Sequence, residues 1–453
     1  MNIDLLNKYN VPVPRYTSYP TVPFWNDKIE ASDWTAAFKK QFDESDHTQG
    51  ISLYIHLPFC ESLCTYCGCN KKITTNHNVE LPYLEALFTE WRLYLQLMNE
   101  KPVIREIHLG GGTPTFFSSD NLYKLLATIL KDSIVPEDHD FSIEGHPNNT
   151  TAGQLLTLYN LGFRRISFGV QDNNPEVQRV INRIQSFEQV KRGTEIARHI
   201  GYTSVNFDLI YGLPLQNTER MRKTLYQSIS LKPDRIAFYS YAHVPWTNKA
   251  QRLFDEADLP LPREKMKLYM LGKEMFAEAG YKDIGMDHFA LPGYDLFKAK
   301  LQNRLYRNFM GYTTQNTKLL LGLGLSSISD VGYAFMQNSK TLGEYYQMLG
   351  KGQLPIQKGY FLTEEDRAFR KYIQDISCHG STFFDAQHLP LLAKYTFPEL
   401  QALEDDGLVL FDNMGLAVTG LGKNFIRNIC RAFDLHLLRT QNEMGPQQFS
   451  NAI

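Results

Sequence analysis

Apolar and polar positions along the chain follow two periods, and the switch between them repeats. Six short runs rich in β-branched and aromatic residues read as strands: ISLYIHL (51–57), REIHL (105–109), FSIEG (141–145), RRISFGV (164–170), SVNFDLI (204–210) and DRIAFYSYA (234–242). Between them, apolar residues recur at helical spacing over Leu81–Leu97, Asp120–Leu130, Phe187–Ile200 and Met221–Leu231. Strand-then-helix units in series predict an α/β fold with a parallel sheet, whose right-handed crossovers curl it into an open partial (β/α)6 barrel. A doubly wound sheet shares this periodicity. In both, chemistry sits at the carboxyl ends of the strands.

The pattern changes at both ends of the chain. Residues 1–50 read as an N-terminal arm in which PRYTSYP (14–20) is an extended, proline-punctuated segment. Past residue 350, Thr363–Cys378 and Pro398–Asp405 have helical spacing, GLVLFDNMGLAVTG (407–420) reads as a two-stranded wing, and helices resume at Leu421. The expected division is an arm over 1–50, a partial barrel with its extension over 51–350, and a small α-rich, winged-helix-like domain over 351–453.

A chain of 453 residues that is 43% hydrophobic has ample material for a core. Its 47 Lys and Arg nearly balance 49 Asp and Glu, so global charge gives no reason to expect nucleic acid or a membrane surface as partner. No apolar stretch approaches a membrane span. The N-terminus lacks the apolar core of a signal peptide and carries Asp4 and Lys8 early. The expectation is a protein of the reducing cytoplasm, where clustered cysteines signal metal or catalysis rather than disulfides.

Four of the six cysteines fall in HLPFCESLCTYCGCN (56–70), as Cys60, Cys64, Cys67 and Cys69; Cys378 and Cys430 stand apart. The spacing between the first three, three residues and then two, lets one loop turn three sulfurs toward one inorganic centre, as iron–sulfur clusters require. Structural zinc is the rival, but zinc sites pair two short knuckles across a longer loop, and no second knuckle follows here. Directly after the REIHL strand comes LGGGTPT, whose Gly110–Gly111–Gly112–Thr113–Pro114 lets backbone approach a ligand closely. It matches neither the dinucleotide fingerprint nor the phosphate loop.

A three-cysteine loop followed by Gly-Gly-Thr-Pro resembles the radical S-adenosylmethionine (SAM) superfamily. Within it, PRYTSYP, the loop ending Tyr66-Cys67-Gly68-Cys69-Asn70, GVQD (169–172), NFDLIYGLP (206–214), GMDHFA (285–290), RNFMGYTTQ (307–315), RNIC (427–430) and the closing QQFS resemble the oxygen-independent coproporphyrinogen III oxidase family along essentially the whole chain. The resemblance implies oxidative decarboxylation of two propionates of coproporphyrinogen III to vinyl groups, giving protoporphyrinogen IX. It implies one [4Fe–4S] cluster on Cys60, Cys64 and Cys67, with Cys69 spare, and two SAM molecules. Tyr54, Gly111, Glu144 and Ile328 would bind the first. Tyr66, Gly112, Thr113, Gln171, Arg183, Asp208 and Ala242 would contact the second. A separate electron donor and acceptor, and a monomer, complete the expectation.

The substrate's four carboxylates call for converging basic groups. Arg307 is the first candidate, Lys71 the second, and His288 beside Asp287 a candidate for a hydrogen-bond relay. Three positions depart from the family pattern: His146 before Pro147, Ile184 after Arg183, and Asn451 in the tail. Competing readings are a heme-binding relative without oxidase activity, a radical SAM methyltransferase that opens heme, and a non-enzymatic zinc protein. The fourth cysteine and the PRYTSYP arm favour the oxidase.

Overall fold

A computed structural model describes residues 3–27, 29–45, 49–246, 248–440 and 449–452; of the closing QQFS, Gln447 and Gln448 lie outside the described residues. The chain opens with α1 (Ile3–Tyr9) and α2 (Ala31–Glu44). Trp34, Phe38 and Phe42 stand on one face of α2 and are buried. PRYTSYP runs between the two helices without regular structure.

The first strand, β1 (Ile51–Leu57), coincides with its apolar run, and the short pair β2 (Phe59–Cys60) and β3 (Lys72–Ile73) follows it. Then α3 (Glu80–Leu95), β4 (Ile104–Gly111), α4 (Ser119–Lys131), β5 (Asp140–Gly145), α5 (Ala152–Asn160), β6 (Arg165–Gln171), α6 (Pro175–Val180), α7 (Phe187–Ile200), β7 (Ser204–Tyr211), α8 (Thr218–Ser230) and β8 (Arg235–Ser240) alternate, with α9 (Pro262–Glu278) covering the end of the series. Side-chain caps start several of these helices; Thr151 with Gln154 and Ser186 with Gln189 form capping boxes.

The sheet continues past the alternating units. It gains β9 (Lys282–Gly285) and β10 (His288–Ala290), and, after the separate hairpin β11 (Tyr306–Asn308) and β12 (Gly311–Thr313), also β13 (Leu320–Leu323), β14 (Ile328–Asp330), β15 (Ala334–Asn338) and β16 (Ile356–Phe361). The strand order is β16-β15-β14-β13-β1-β4-β5-β6-β7-β8-β10-β9. From β13 to β8 neighbouring strands run parallel; the flanking ones are antiparallel. Among the described residues no pairing joins β16 to β9, so the expected partial barrel is open.

Parallel strands covered on both faces are usually apolar throughout. These strands are not. One face carries Leu53, Ile107, Phe141, Ile166, Val205, Phe207 and Ile236, all buried. The other carries Tyr54, His108, Ser142, Glu144, Ser167, Asn206 and Asp208, in matched register. The polar face lines the inside of the curl and leads to the site.

Beyond the sheet, α10 (Asp295–Leu301) precedes the β11–β12 hairpin, and α11 (Leu342–Gly350) joins β15 to β16. The C-terminal region starts with α12 (Glu364–His379), capped by Thr363 with Asp366 and ended at Gly380 in the left-handed region. Three antiparallel strands, β17 (Ser381–Phe383), β18 (Val409–Phe411) and β19 (Gly415–Val418), make the wing, with β19 central. Short helices Phe397–Asp405, Ile426–Arg431 and Leu435–Thr440 surround it. Among the described residues no helix is long and apolar enough to cross a membrane.

Candidate active site

The cysteine loop leaves the carboxyl end of β1, and its two ends are pinned together. Phe59 and Cys60 pair with Lys72 and Ile73, and the Thr74 N–H donates to the Cys60 carbonyl at 2.9 Å. Lys71 Nζ donates to the carbonyls of Cys67 at 3.0 Å and Cys69 at 3.4 Å. A second segment clamps the loop from outside: Asn248 Nδ2 donates to Cys67 O at 2.6 Å and the buried Gln251 Nε2 to Tyr66 O at 3.2 Å. His56 Nε2 lies 2.8 Å from the Asn70 carbonyl and must donate to it, leaving Nδ1 to accept from the Tyr54 hydroxyl at 3.1 Å. Burial lowers the His56 pKa, consistent with that neutral tautomer.

Each of the three ligand-spaced sulfurs has its own donor. Thr113 Oγ1 lies 3.3 Å from Cys60 Sγ, and Arg183 Nη1 lies 3.6 Å from Cys64 Sγ. Cys67 takes a hydrogen bond from Cys69, which with Lys71 and Arg183 draws its thiol below the usual value against the effect of burial. Burial pushes the Cys60 thiol up to about 11. All six cysteines are free thiols.

The glycine run closes the opposite wall. Gly111 has φ of 113°, and a Cβ there would lie 2.6 Å from the His56 ring. A Cβ on Gly112 would meet the Pro58 carbonyl at 2.6 Å. Only glycine lets β4 end this close to the cysteine loop. The Gly111 N–H donates to Glu144 Oε2 at 3.2 Å, and His108 Nε2 reaches Glu144 Oε1 at 3.2 Å. Burial would raise the Glu144 pKa, but these donors hold it below the usual value, so the carboxylate is ionised.

These walls enclose a cavity of about 1010 Å³ at the carboxyl ends of the strands, lined by all four clustered cysteines. Among the described residues no three His, Cys, Asp or Glu side chains are gathered closely enough to hold a single metal ion. The three thiols instead share one cavity wall, as a cluster whose irons are bound one by one requires.

A family model of the radical SAM superfamily matches residues 54–226. Curated relatives named oxygen-independent coproporphyrinogen III oxidase are 37% identical in Pseudomonas aeruginosa, over 99% of this chain and 98% of the relative. In Salmonella typhimurium identity is 39%, over 100% and 98%. The solved structure of coproporphyrinogen III oxidase from Escherichia coli, described as a radical SAM enzyme, superposes with a TM-score of 0.88 at 36% identity, covering 96% of this chain and 99% of that one. The chain belongs to the oxygen-independent coproporphyrinogen III oxidase family. A [4Fe–4S] cluster and SAM are the cofactors of that family's chemistry.

Most residues expected from the sequence meet at this cavity. Cys60, Cys64, Cys67, Tyr66, Lys71, Gly111, Gly112, Thr113, Glu144, Gln171, Arg183 and Asp208 all line it. Gln171 ends β6 with φ of 64°, where the pairing with β7 shifts register. Arg183 spends Nε and Nη2 on the Gly169 carbonyl, at 3.2 and 2.6 Å, which aims Nη1 at Cys64. Asp208 accepts from Ser167 Oγ at 3.0 Å, and burial pushes its carboxyl up to about 6.

Five other candidates lie elsewhere. The Tyr54 ring stacks on His108 behind Gly110. The Ala242 carbonyl accepts from Gln251 Nε2 at 3.0 Å, behind Tyr66. Ile328 opens β14, where its backbone packs on Gly322 opposite Tyr54. His288 Nε2 lies 3.4 Å from the Tyr239 hydroxyl. Arg307 lines a separate cavity of about 390 Å³ near the amino ends of β1 and β13, and donates to the arm carbonyls of Tyr16 at 2.6 Å and Arg15 at 3.1 Å.

Sequence reasoning missed His56 and His108, which hold the loop and Glu144. The available signal was their placement with Tyr54 at alternate positions facing one side of the sheet.

Proposed function

We propose that the protein acts as an oxygen-independent coproporphyrinogen III oxidase, turning two propionates of coproporphyrinogen III into vinyl groups with release of carbon dioxide. The observation that carries this reading is the meeting of three donor-supported thiols, ionised Glu144, Asp208 and Arg183 on one cavity. In this reading Cys60, Cys64 and Cys67 would hold the [4Fe–4S] cluster. The cluster and SAM would, when bound, supply radical chemistry for removing hydrogen from the propionate β-carbon. Loss of carbon dioxide and one electron to an acceptor then completes each vinyl group.

The chain's own residues bind, orient and exclude water. Glu144, ionised and already fixed by His108 and Gly111, accepts from the amino group of one SAM, with Tyr54 and Ile328 behind it. Tyr66, Gly112, Thr113, Gln171, Arg183, Asp208 and Ala242 form the place of a second. Asp208 suits ribose hydroxyls and Arg183 a carboxylate. His288, beside the Tyr239 hydroxyl, is the candidate for a hydrogen-bond relay. Lys71 serves first by fixing the cysteine loop, and Arg307 acts on substrate binding indirectly, by holding the arm at Arg15 and Tyr16. A single chain, cytoplasmic, with a separate electron donor and acceptor, is the working unit.

The test is metal analysis of anaerobically purified protein. Iron and sulfide in equal amounts, lost on Cys64→Ala, support the reading; stoichiometric zinc without sulfide contradicts it. For the substrate side, Arg307→Ala should raise KM for coproporphyrinogen III, and an unchanged KM removes Arg307 from that role.

A further inference from the structure

His146 is a departure from the family pattern that falls on the cavity wall beside Arg183 and Ile184. It follows the last residue of β5, and its backbone is held on both sides. Its N–H donates to Thr115 Oγ1 at 3.2 Å, and its carbonyl accepts from Thr150 Oγ1 at 2.9 Å. The ring is fixed too. Asn148 N–H donates to His146 Nδ1 at 3.1 Å, so Nδ1 is the acceptor and Nε2 carries the proton. Asn148 Nδ2 donates to the Ile184 carbonyl at 2.9 Å, which holds this turn against the segment bearing Arg183. No hydrogen bond among the described residues occupies Nε2. Burial, reinforced by the Arg183 charge, lowers the His146 pKa to about 3, so the ring stays a neutral donor.

We infer that His146 is a further ligand-binding residue of this cavity, whose Nε2–H joins the Arg183 guanidinium in taking a carboxylate. A neutral donor beside a cation suits an anionic, planar acceptor and adds no second buried charge. The carboxylate is either that of the SAM methionine moiety or a propionate of the tetrapyrrole. The inference rests on the oxidase reading above.

The experiment uses the reconstituted holoenzyme, anaerobically, and measures equilibrium binding of SAM, decarboxylated SAM and coproporphyrin III to the wild type, His146→Ala and His146→Asn. Iron content confirms that each variant carries its cluster. A hydrogen bond to a charged group predicts that His146→Ala weakens one carboxylate ligand by about tenfold or more. His146→Asn, whose amide keeps both an acceptor and a donor, should recover most of that loss. Weakened SAM with unchanged decarboxylated SAM assigns the methionine carboxylate; weakened coproporphyrin III assigns a propionate. Affinities of His146→Ala within about twofold of wild type for all three ligands overturn the inference, as do equal losses for SAM and decarboxylated SAM. If wild type itself binds no SAM, the oxidase reading fails first.

Discussion

Three sulfurs in one loop meet three different donors, and the difference between Cys67 and Cys69 is one of position within that loop. Cys64→Ala should abolish SAM cleavage. Cys69→Ala should leave the cluster assembled, because the proposed ligands are Cys60, Cys64 and Cys67 and Cys69 is spare; iron and sulfide analysis decides, and cluster loss in Cys69→Ala would contradict the three-ligand assignment. Asp208 gives a pH prediction. An unfolded Asp titrates near 3.9, so a folded value of about 6 means that Asp208 favours the fold below about 4 and loses that contribution as pH rises through about 6. Ligand binding runs the other way, since the ribose acceptor is the ionised form. SAM affinity should therefore fall as pH drops from about 7.5 to about 5.5, and Asp208→Asn should remove this slope while weakening binding at the higher pH by about tenfold. A persistent slope in the variant would assign the titration elsewhere. The cysteines were legible from spacing alone, whereas Gln171 and Arg183 were legible only through resemblance. Their roles come from a left-handed backbone and a bond to the Gly169 carbonyl, and neither leaves a mark in residue order.

Elements whose signal is long and periodic were legible: β1 and α7 begin and end where their patterns do. The strands flanking the parallel series, β9, β10 and β13 to β16, are three to six residues long. Such short runs carry too few positions for a period to show, and their pairing partners are distant in sequence. One buried group ties these flanking strands to the barrel. Glu90 on α3 accepts from Gly324 N–H at 2.8 Å, Asn338 Nδ2 at 2.6 Å and the Tyr345 hydroxyl at 2.6 Å. Removing it strands the Gly324 N–H and the Tyr345 hydroxyl, while Asn338 Nδ2 keeps the Gly324 carbonyl and Ser327 Oγ, so Glu90→Ala should cost about 2–4 kcal/mol in denaturant unfolding. Burial pushes the Glu90 carboxyl up to about 7, against about 4.3 when unfolded. Its contribution is thus full below the unfolded value and is lost as pH rises through about 7. Wild type should lose stability between about pH 4.5 and 7 relative to Glu90→Gln. Parallel curves for the two would contradict that titration.

On the scale of the whole molecule, the arm and the C-terminal region are one assembly. Arg427 donates to the carbonyls of Val13, Pro14, Asn451 and Ala452, Tyr16 OH donates to Asp434 at 3.1 Å, and Ala452 N–H returns to Val11 O at 2.8 Å. Arg427→Ala should free the arm and speed proteolytic cleavage within residues 3–20; an unchanged cleavage pattern would show that the arm is held by packing alone. Order along the chain could not show this, because the partners stand some four hundred residues apart. The full-length likeness to the oxidase family and the cavity chemistry converge on one reaction. Its most direct test is anaerobic incubation of the reconstituted protein with coproporphyrinogen III, SAM and a reductant. The account predicts protoporphyrinogen IX with SAM consumed; no product, with heme bound instead, would contradict it.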